Sequence, residues 1–170
     1  FGKRELIKDL VERDFEVKGE KFLPDDKIVL INPVPALDDA YEILMDGMIL
    51  GQVRYEPEIN SWRILLNLEG AIRIYLLGSE KNLVEMDDDA VEFIEDGANA
   101  LAPGIISSDP EIEVGDECIV VSESDPRSED DVLATGLAKM SGSEMIDEEY
   151  GVSVKTRRYK KVDYRDLDCA

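Results

Sequence analysis

Apolar residues near the start of the chain recur at the three- and four-residue spacing of an amphipathic helix. This spacing predicts a helix from Gly2 to Phe15, and the same pattern predicts a second helix from Leu68 to Leu77. The stretch 16–26 is polar and contains Gly19 and Pro24, so we expect a loop there. The residues expected to face the core are Leu6, Ile7, Leu10 and Val11 in the first helix, and Ala71, Ile72, Tyr75 and Leu76 in the second.

Short apolar runs between the two helices have the length and composition of β-strands. Four strands are predicted, at residues 27–32, 41–45, 48–55 and 61–67. Pro33 and Pro35 end the first strand, because proline cannot occupy the interior of a sheet. Asp46-Gly47 is typical of a two-residue hairpin turn between the second and third strands. Residues 1–81 are therefore predicted to form an α+β unit.

The second half of the chain alternates short apolar runs with turn residues and contains one further helix. Asp87, Asp88 and Asp89 indicate the start of that helix, because carboxylates satisfy its free N–H groups, and Gly97 indicates a left-handed C-cap at its end. Pro103-Gly104 must bend or open the strand that contains it. The predicted strands are 83–86, 99–106, 117–121, 132–140 and 151–159.

Two further sequence features make the prediction for the second half of the chain more specific. Gly136 lies inside an apolar strand, where it marks a bulge or a close backbone approach. Ser141 followed by Glu144 fits a capping box, so a short helix is predicted over 141–149.

The order and spacing of these segments resemble a PUA domain, the RNA-binding module named after pseudouridine synthases and archaeosine transglycosylases. The resemblance is carried by LVEMDDDAVEFIEDGANALAPGI, the turn EIEVGDE, VLATGLAKM, SGSEM and GVSVKTRRY. It implies a mainly-β PUA pseudo-barrel with short helices over 82–160, after the α+β unit, and a tail or exit linker at 161–170. It also implies that the helix end and the APG loop line a groove for an RNA backbone. The candidate RNA-binding residues of this groove are Gly97, Ala102, Pro103, Gly104 and Ile105.

The first half carries a resemblance of its own, in KIVLINPVPALDDAYEILMDGMILGQVRYEPEINSWRILLNLEGAIRI. This segment is similar to the region that precedes the PUA domain in archaeal phosphoadenosine phosphosulfate reductase-like proteins. In that family a zinc ribbon comes before this region and an ATP-pyrophosphatase-type catalytic domain follows the PUA domain. Neither flank is present, and the chain starts at Phe1, so we expect a piece of a longer enzyme. The alternative parent is an archaeosine tRNA-guanine transglycosylase, whose C-terminal part has a related arrangement.

The distribution of charge narrows the choice of RNA contacts. The net charge is −21. Residues 1–81 hold 11 Lys or Arg and 16 Asp or Glu, and residues 82–151 hold 2 basic and 21 acidic residues. Residues 152–170, in contrast, hold 6 basic and 3 acidic residues. The closing strand is thus the one basic segment of the PUA-like half. We expect Lys155, Arg157 and Arg158 to contact phosphate, with Lys155, Arg157 and Tyr159 on one strand face, where Tyr159 could stack on a base. The competing interpretation is a solvated edge strand, flanked by Lys160 and Lys161, whose cations pair with the acidic body.

Catalysis by this chain alone is not expected. It contains no histidine, two distant cysteines, no Walker-type loop and no zinc-binding cysteine pair, so no catalytic residue, metal site or cofactor is predicted. No apolar run is long enough for a membrane span and no signal peptide is recognisable, which favours a cytoplasmic location without a membrane partner. The predicted partners are structured RNA, in particular tRNA, and the flanking domains of the parent chain. The alternative from another class is a protein-interaction or spacer module that has lost RNA binding, which the acidic segment favours.

Overall fold

The N-terminal unit of the computed structural model, which describes residues 2–161, is a four-stranded antiparallel sheet packed against helices. The strands follow one another across the sheet in chain order. Only Lys161 of the predicted tail is within the described residues, and Cys169 lies outside them. The elements of this unit are α1 (Lys3–Phe15), α2 (Gly19–Phe22), β1 (Val29–Pro33), β2 (Ala40–Met45), β3 (Met48–Glu56), β4 (Ser61–Leu66) and α3 (Leu68–Leu76).

The predicted hairpin between β2 and β3 is confirmed. Asp46 and Gly47 both have positive φ, at 53° and 78°, and Met45 lies opposite Met48 across the turn. This is the backbone of a type I′ turn, which matches the twist of the two strands it joins.

The buried faces of the helices differ in part from the predicted ones. In α1 the face extends to Phe15, and Leu6 is only half-buried. In α3, Ile74 is buried while Leu76 is 49% exposed. At Gly70 a Cβ atom would lie 2.1 Å from the carbonyl oxygen of Leu50. This glycine therefore allows α3 to lie directly on β3, and the helix buries a face that differs in part from the predicted one.

The predicted loop 16–26 contains the one-turn helix α2. The Gly19 N–H donates to the Glu12 carboxylate at 2.9 Å, and Phe22 and Leu23 are fully buried. A helix of one turn is too short to show helical periodicity, so the hydrophobic pattern could not reveal it.

The C-terminal unit is a six-stranded, nearly closed barrel with short helices, which confirms the predicted fold class. Its strands lie in the order β6–β10–β9–β8–β5–β7, and all neighbours are antiparallel except β5 and β8. A 3₁₀ turn at Ala102–Gly104 joins β6 to β7, and a second precedes β9 at Glu129–Asp131. The elements are β5 (Leu83–Met86), α4 (Asp88–Glu95), β6 (Ala100–Leu101), β7 (Ile105–Ser108), β8 (Glu117–Val121), β9 (Val132–Ala138), α5 (Gly142–Asp147) and β10 (Val152–Tyr159).

Two local predictions for this unit hold in detail. Ser141 and Glu144 form a reciprocal capping box at the start of α5. At Gly136 a Cβ atom would lie 2.1 Å from the carbonyl oxygen of Lys155, so the predicted close approach is to β10.

The barrel has a core of its own, and three of its residues also join the hydrophobic core of the N-terminal unit. Ile119, Val121 and Val132 of the barrel belong to the same buried cluster as α1 and α3. Polar groups complete this contact: the Tyr75 hydroxyl donates to the buried Asp131 carboxylate at 2.6 Å. The Arg127 guanidinium lies 4.5 Å from the centre of the Tyr75 ring. The relative position of the two units is therefore determined by packed side chains.

Candidate nucleic-acid interface

The C-terminal end of α4 forms the left-handed cap that the sequence predicts. Gly97 has φ +105°, its N–H donates to the carbonyl of Ile94 at 3.0 Å, and the Ala98 N–H donates to Phe93 at 2.9 Å. These two bonds define a Schellman motif. A Cβ atom on Gly97 would lie 3.2 Å from the Tyr159 ring, so the helix end rests directly on β10.

The APG turn lies at the other end of α4. The Gly104 carbonyl accepts the Asp87 N–H at 2.7 Å, and a Cβ atom on Gly104 would lie 3.1 Å from Met86. Ala102 is buried, Ile105 is half-buried and Pro103 is exposed. Gly97 and the APG turn are therefore separated by the length of the helix, and a ligand that contacts both must run along α4.

Carboxylates dominate the electrostatics of α4. The Asp87 side chain caps the helix by accepting the Asp89 N–H at 2.9 Å, as predicted. Beyond the end of the helix, Lys161 lies 3.3 Å from Glu95 and Lys160 lies 3.9 Å from the same carboxylate. A phosphate that approaches from this side would meet unfavourable charge. The acidic residues of the helix and its caps are Asp87, Asp88, Asp89, Glu92, Glu95 and Asp96.

A β-bulge in β10 changes which residues share a face. Thr156 pairs with Gly136 and Arg158 pairs with Thr135, which leaves Arg157 as the extra residue. Tyr159 consequently pairs with Ala134 and packs on the barrel core. The predicted common face of Lys155, Arg157 and Tyr159 is wrong for Tyr159, because a regular alternation assumes a strand without a bulge.

Lys155 and Arg158 are the accessible cations of the closing strand. Both side chains are exposed, and neither forms an ion pair within residues 2–161. Lys155 lies opposite Leu137 and Arg158 lies opposite Thr135 in β9. Two cations are thus available to a ligand on the side of β10 that lies towards the N-terminal unit.

Arg157 is engaged within the protein. Its Nη1 donates to Glu117 at 2.6 Å and its Nη2 makes a second, shorter bond to the same carboxylate. Nη2 also donates to the Leu66 carbonyl at 2.9 Å, while Glu117 accepts the Leu66 N–H at 2.6 Å. Burial raises the pKa of Glu117, and Arg157 and the Leu66 N–H act in the opposite direction. Arg157 therefore joins the two units, and a substitution to glutamate would test this contact rather than RNA binding.

Sequence reasoning missed two arginines of the N-terminal unit. Arg54 in β3 lies directly opposite Arg63 in β4, and both line a cleft that also contains Lys155 and Arg157. The strands β3 and β4 were predictable from the sequence, and the alternation of side chains along a strand would place both arginines on the same face of the sheet. The contact between that face and β10 has no signal in the sequence, because it depends on how the units dock.

The described residues contain neither a metal-binding cluster of side chains nor a membrane-spanning helix. Within residues 2–161 no group of three or more His, Cys, Asp or Glu side chains is arranged to hold a metal ion. Among the helices of this range, none has the length and apolar character needed to cross a membrane.

Comparison with known proteins identifies the second unit. Residues 82–160 match the family model of the PUA domain. An uncharacterised protein of Methanocaldococcus jannaschii is 31% identical over 158 residues, which are 92% of this chain and 31% of that protein. The tRNA-guanine(15) transglycosylase of Pyrococcus abyssi is 36% identical over 118 residues, covering 69% of this chain and 19% of the enzyme. Archaeosine synthase subunit alpha of Methanosarcina acetivorans is 38% identical over 99 residues, covering 58% and 14%. The chain spans about a third or less of the length of these three relatives.

Solved structures share the complete two-unit architecture. A hypothetical protein from Pyrococcus horikoshii superposes with a TM-score of 0.68 at 24% identity, covering 96% of this chain and 93% of that one. A conserved PUA domain protein from Thermoplasma acidophilum gives 0.66 at 18% identity, with coverages of 97% and 93%. Identities this low show the shared fold alone.

Proposed function

Residues 82–160 form a PUA domain, and from this premise we propose that the chain binds structured RNA, specifically tRNA, without catalysing a reaction itself. The observation that carries the proposal is the pair of exposed, unpaired cations Lys155 and Arg158 on the closing strand. In a chain of net charge −21, cations that no carboxylate neutralises are the groups able to hold phosphate.

The name of one relative favours tRNA as the RNA. The tRNA-guanine(15) transglycosylase of Pyrococcus abyssi bears a name that refers to tRNA. A tRNA ligand also agrees with the cytoplasmic location that the sequence predicts. We propose that the parent protein modifies RNA and uses this region to position it. One possible parent, a tRNA-guanine transglycosylase, is named among the relatives. The reductase-like parent stays a prediction that the relatives' names do not test.

The proposed interface uses the loops as main-chain contacts and the closing strand as charge contacts. Gly97, Pro103 and Gly104 leave backbone groups close to the surface at the two ends of α4, while the buried Ala102 and half-buried Ile105 position the turn. Lys155 and Arg158 supply the attraction. Arg157 is not part of the proposed interface, because its guanidinium donates hydrogen bonds to the Glu117 carboxylate.

The carboxylates along α4 favour a second candidate, a protein-interaction module that has lost RNA binding. They would repel phosphate and attract a basic surface of a protein. The two functions make opposite predictions for the same measurement.

That measurement is the affinity of the 170-residue chain for tRNA and for a DNA duplex of matched length, at salt concentrations from about 50 to about 300 mM. We expect tRNA to bind more tightly than the duplex. We also expect the K155Q/R158Q double variant to bind tRNA about 10-fold or more weakly, with a salt slope lower by about two. Lys18→Gln combined with Lys139→Gln removes two exposed cations elsewhere and serves as the matched control. Equal losses in both double variants, or no binding of tRNA by the wild-type chain, would refute the proposed function.

A further inference from the structure

A cleft with an excess of positive charge lies between the two units. Its volume is about 380 Å³, and its walls come from β3 and β4 on one side and from β9 and β10 on the other. Four cationic side chains and one carboxylate line it: Arg54, Arg63, Lys155, Arg157 and Glu56. Such a cluster is unusual in a chain with 19 basic and 40 acidic residues.

Two of the four cations have internal partners that neutralise or hold them. Arg157 is paired with the buried Glu117. Arg63 donates to the carbonyl of Gly115 at 2.7 Å, and its Nε lies 3.8 Å from Glu56. Their positions are therefore determined by the fold, and together with the partners they contribute little net charge to the cleft.

Among the four cations of the cleft, Arg54 and Lys155 are the two that form no ion pair with a carboxylate of residues 2–161. The hydrogen bond of Arg54 is to a neutral group, from Nη2 to the Gln52 amide oxygen at 3.3 Å. Its Nε is enclosed by protein and has no acceptor. A buried donor without a partner is costly, and a guanidinium held only by one long bond can turn to present its planar donor fork to a ligand.

We propose that this cleft is an oxyanion site that takes a phosphate group, with Arg54 and Lys155 as its ligands from the two units. The phosphate is a phosphodiester of the bound RNA, which then contacts the N-terminal sheet as well as the PUA domain. The source follows from continuity, since Lys155 belongs both to the cleft and to the exposed cations of the closing strand. This assignment rests on the proposed function, whereas the oxyanion site itself does not.

The first arm of the test compares Arg54→Gln with Lys139→Gln, which removes the same charge from an exposed position directly after β9 of the barrel. We expect Arg54→Gln to weaken tRNA binding about fivefold and to lower the salt slope by about one, while Lys139→Gln leaves both unchanged. Thermal unfolding of each variant establishes that the fold is intact. If tRNA binds the wild-type chain and Arg54→Gln behaves like Lys139→Gln, the RNA assignment is overturned and the proposed function stands.

The second arm uses inorganic phosphate as the probe and follows the arginine Nε–H signals of the wild-type chain by NMR, with the Arg54 signal assigned from its loss in Arg54→Gln. A saturable shift of the Arg54 signal at millimolar phosphate supports the oxyanion site, and an unmoved signal overturns it. A shift without any effect of Arg54→Gln on tRNA affinity would identify a site for a free phosphate compound. If the wild-type chain binds no tRNA, the proposed function fails, and the phosphate titration still decides whether the site exists.

Discussion

Replacing Arg157 by methionine should destabilise the fold far more than the same change at the neighbouring Arg158. Methionine retains most of the aliphatic volume and removes the guanidinium. The Glu117 side chain is 3% exposed, so the variant would keep a carboxylate in the interface with only the Leu66 N–H as a partner.

The size of the effect follows from the burial of the pair. Removing one partner of a buried ion pair costs about 3–5 kcal/mol, because the remaining charge is left without compensation. The Arg157 side chain is 31% exposed, so water reaches part of the site and we expect the lower end, about 3 kcal/mol. That is a large share of the roughly 5–15 kcal/mol by which a domain of this size is stable.

Urea unfolding at pH 7.5, followed by the fluorescence of Trp62, measures the free energy of unfolding. Arg158→Met is the matched control and should change it by less than about 0.5 kcal/mol, since Arg158 is exposed and unpaired. The double variant E117Q/R157M should be more stable than R157M, because an amide at 117 still accepts the Leu66 N–H and carries no charge.

A pH series tests the same reasoning independently. Arg157 lowers the pKa of Glu117, so its removal leaves burial to raise that pKa further above the unfolded-state value. The folded variant then binds a proton more readily than the unfolded chain, and its stability increases as the pH falls from 7.5 towards 5. The difference between R157M and wild type should shrink over this range. An R157M free energy within about 1 kcal/mol of that of R158M at pH 7.5 would refute the account of the interface.

Two further predictions concern Asp131 and Gly136. Burial alone would raise the pKa of Asp131, but the hydrogen bonds that it accepts, first from Tyr75, outweigh burial and hold that pKa below its ordinary value. The stability from this carboxylate should therefore persist above about pH 4 and be lost as the pH falls through the folded-state pKa, so urea midpoints of D131N and wild type should converge only in acid. Gly136→Ala should cost about 2 kcal/mol or more in urea unfolding, because its Cβ would lie 2.1 Å from the Lys155 carbonyl oxygen. Gly2→Ala, whose Cβ would have its nearest neighbour at 3.6 Å, should cost no more than about 1 kcal/mol, which is the effect of losing a glycine N-cap on α1. A neutral Gly136→Ala would contradict the close approach of β9 and β10.

Local features of the fold were predictable because they depend on residues close together in sequence. The type I′ turn at Asp46-Gly47, the Schellman cap at Gly97 and the capping box at Ser141 each arise from backbone requirements that few residue types meet. Gly136 belongs with them, since a glycine inside an apolar strand has few roles other than a close approach.

The candidate site was predictable only in part, because it depends on contacts distant in sequence. Arg157 is separated by 40 residues from Glu117 and by 91 from Leu66, and nothing in the basic run of β10 distinguishes it from Arg158. The bulge that separates their roles arises where β10 meets Gly136, and it reverses the face of Tyr159. Arg54 belongs to the candidate site only because the two units dock against each other.

The contact at Leu66 has a consequence for how such units can be recombined. Its N–H and its carbonyl are both engaged by side chains of the other unit, through Glu117, Arg157 and Thr135, the last donating to the carbonyl at 2.9 Å. The polar part of this contact is thus encoded entirely in the PUA domain, which recognises a strand end by its peptide groups. A transplanted barrel that carries Glu117, Thr135 and Arg157 could dock onto another sheet that offers a free strand end and an apolar surface, which makes this triad a portable connector for protein engineering.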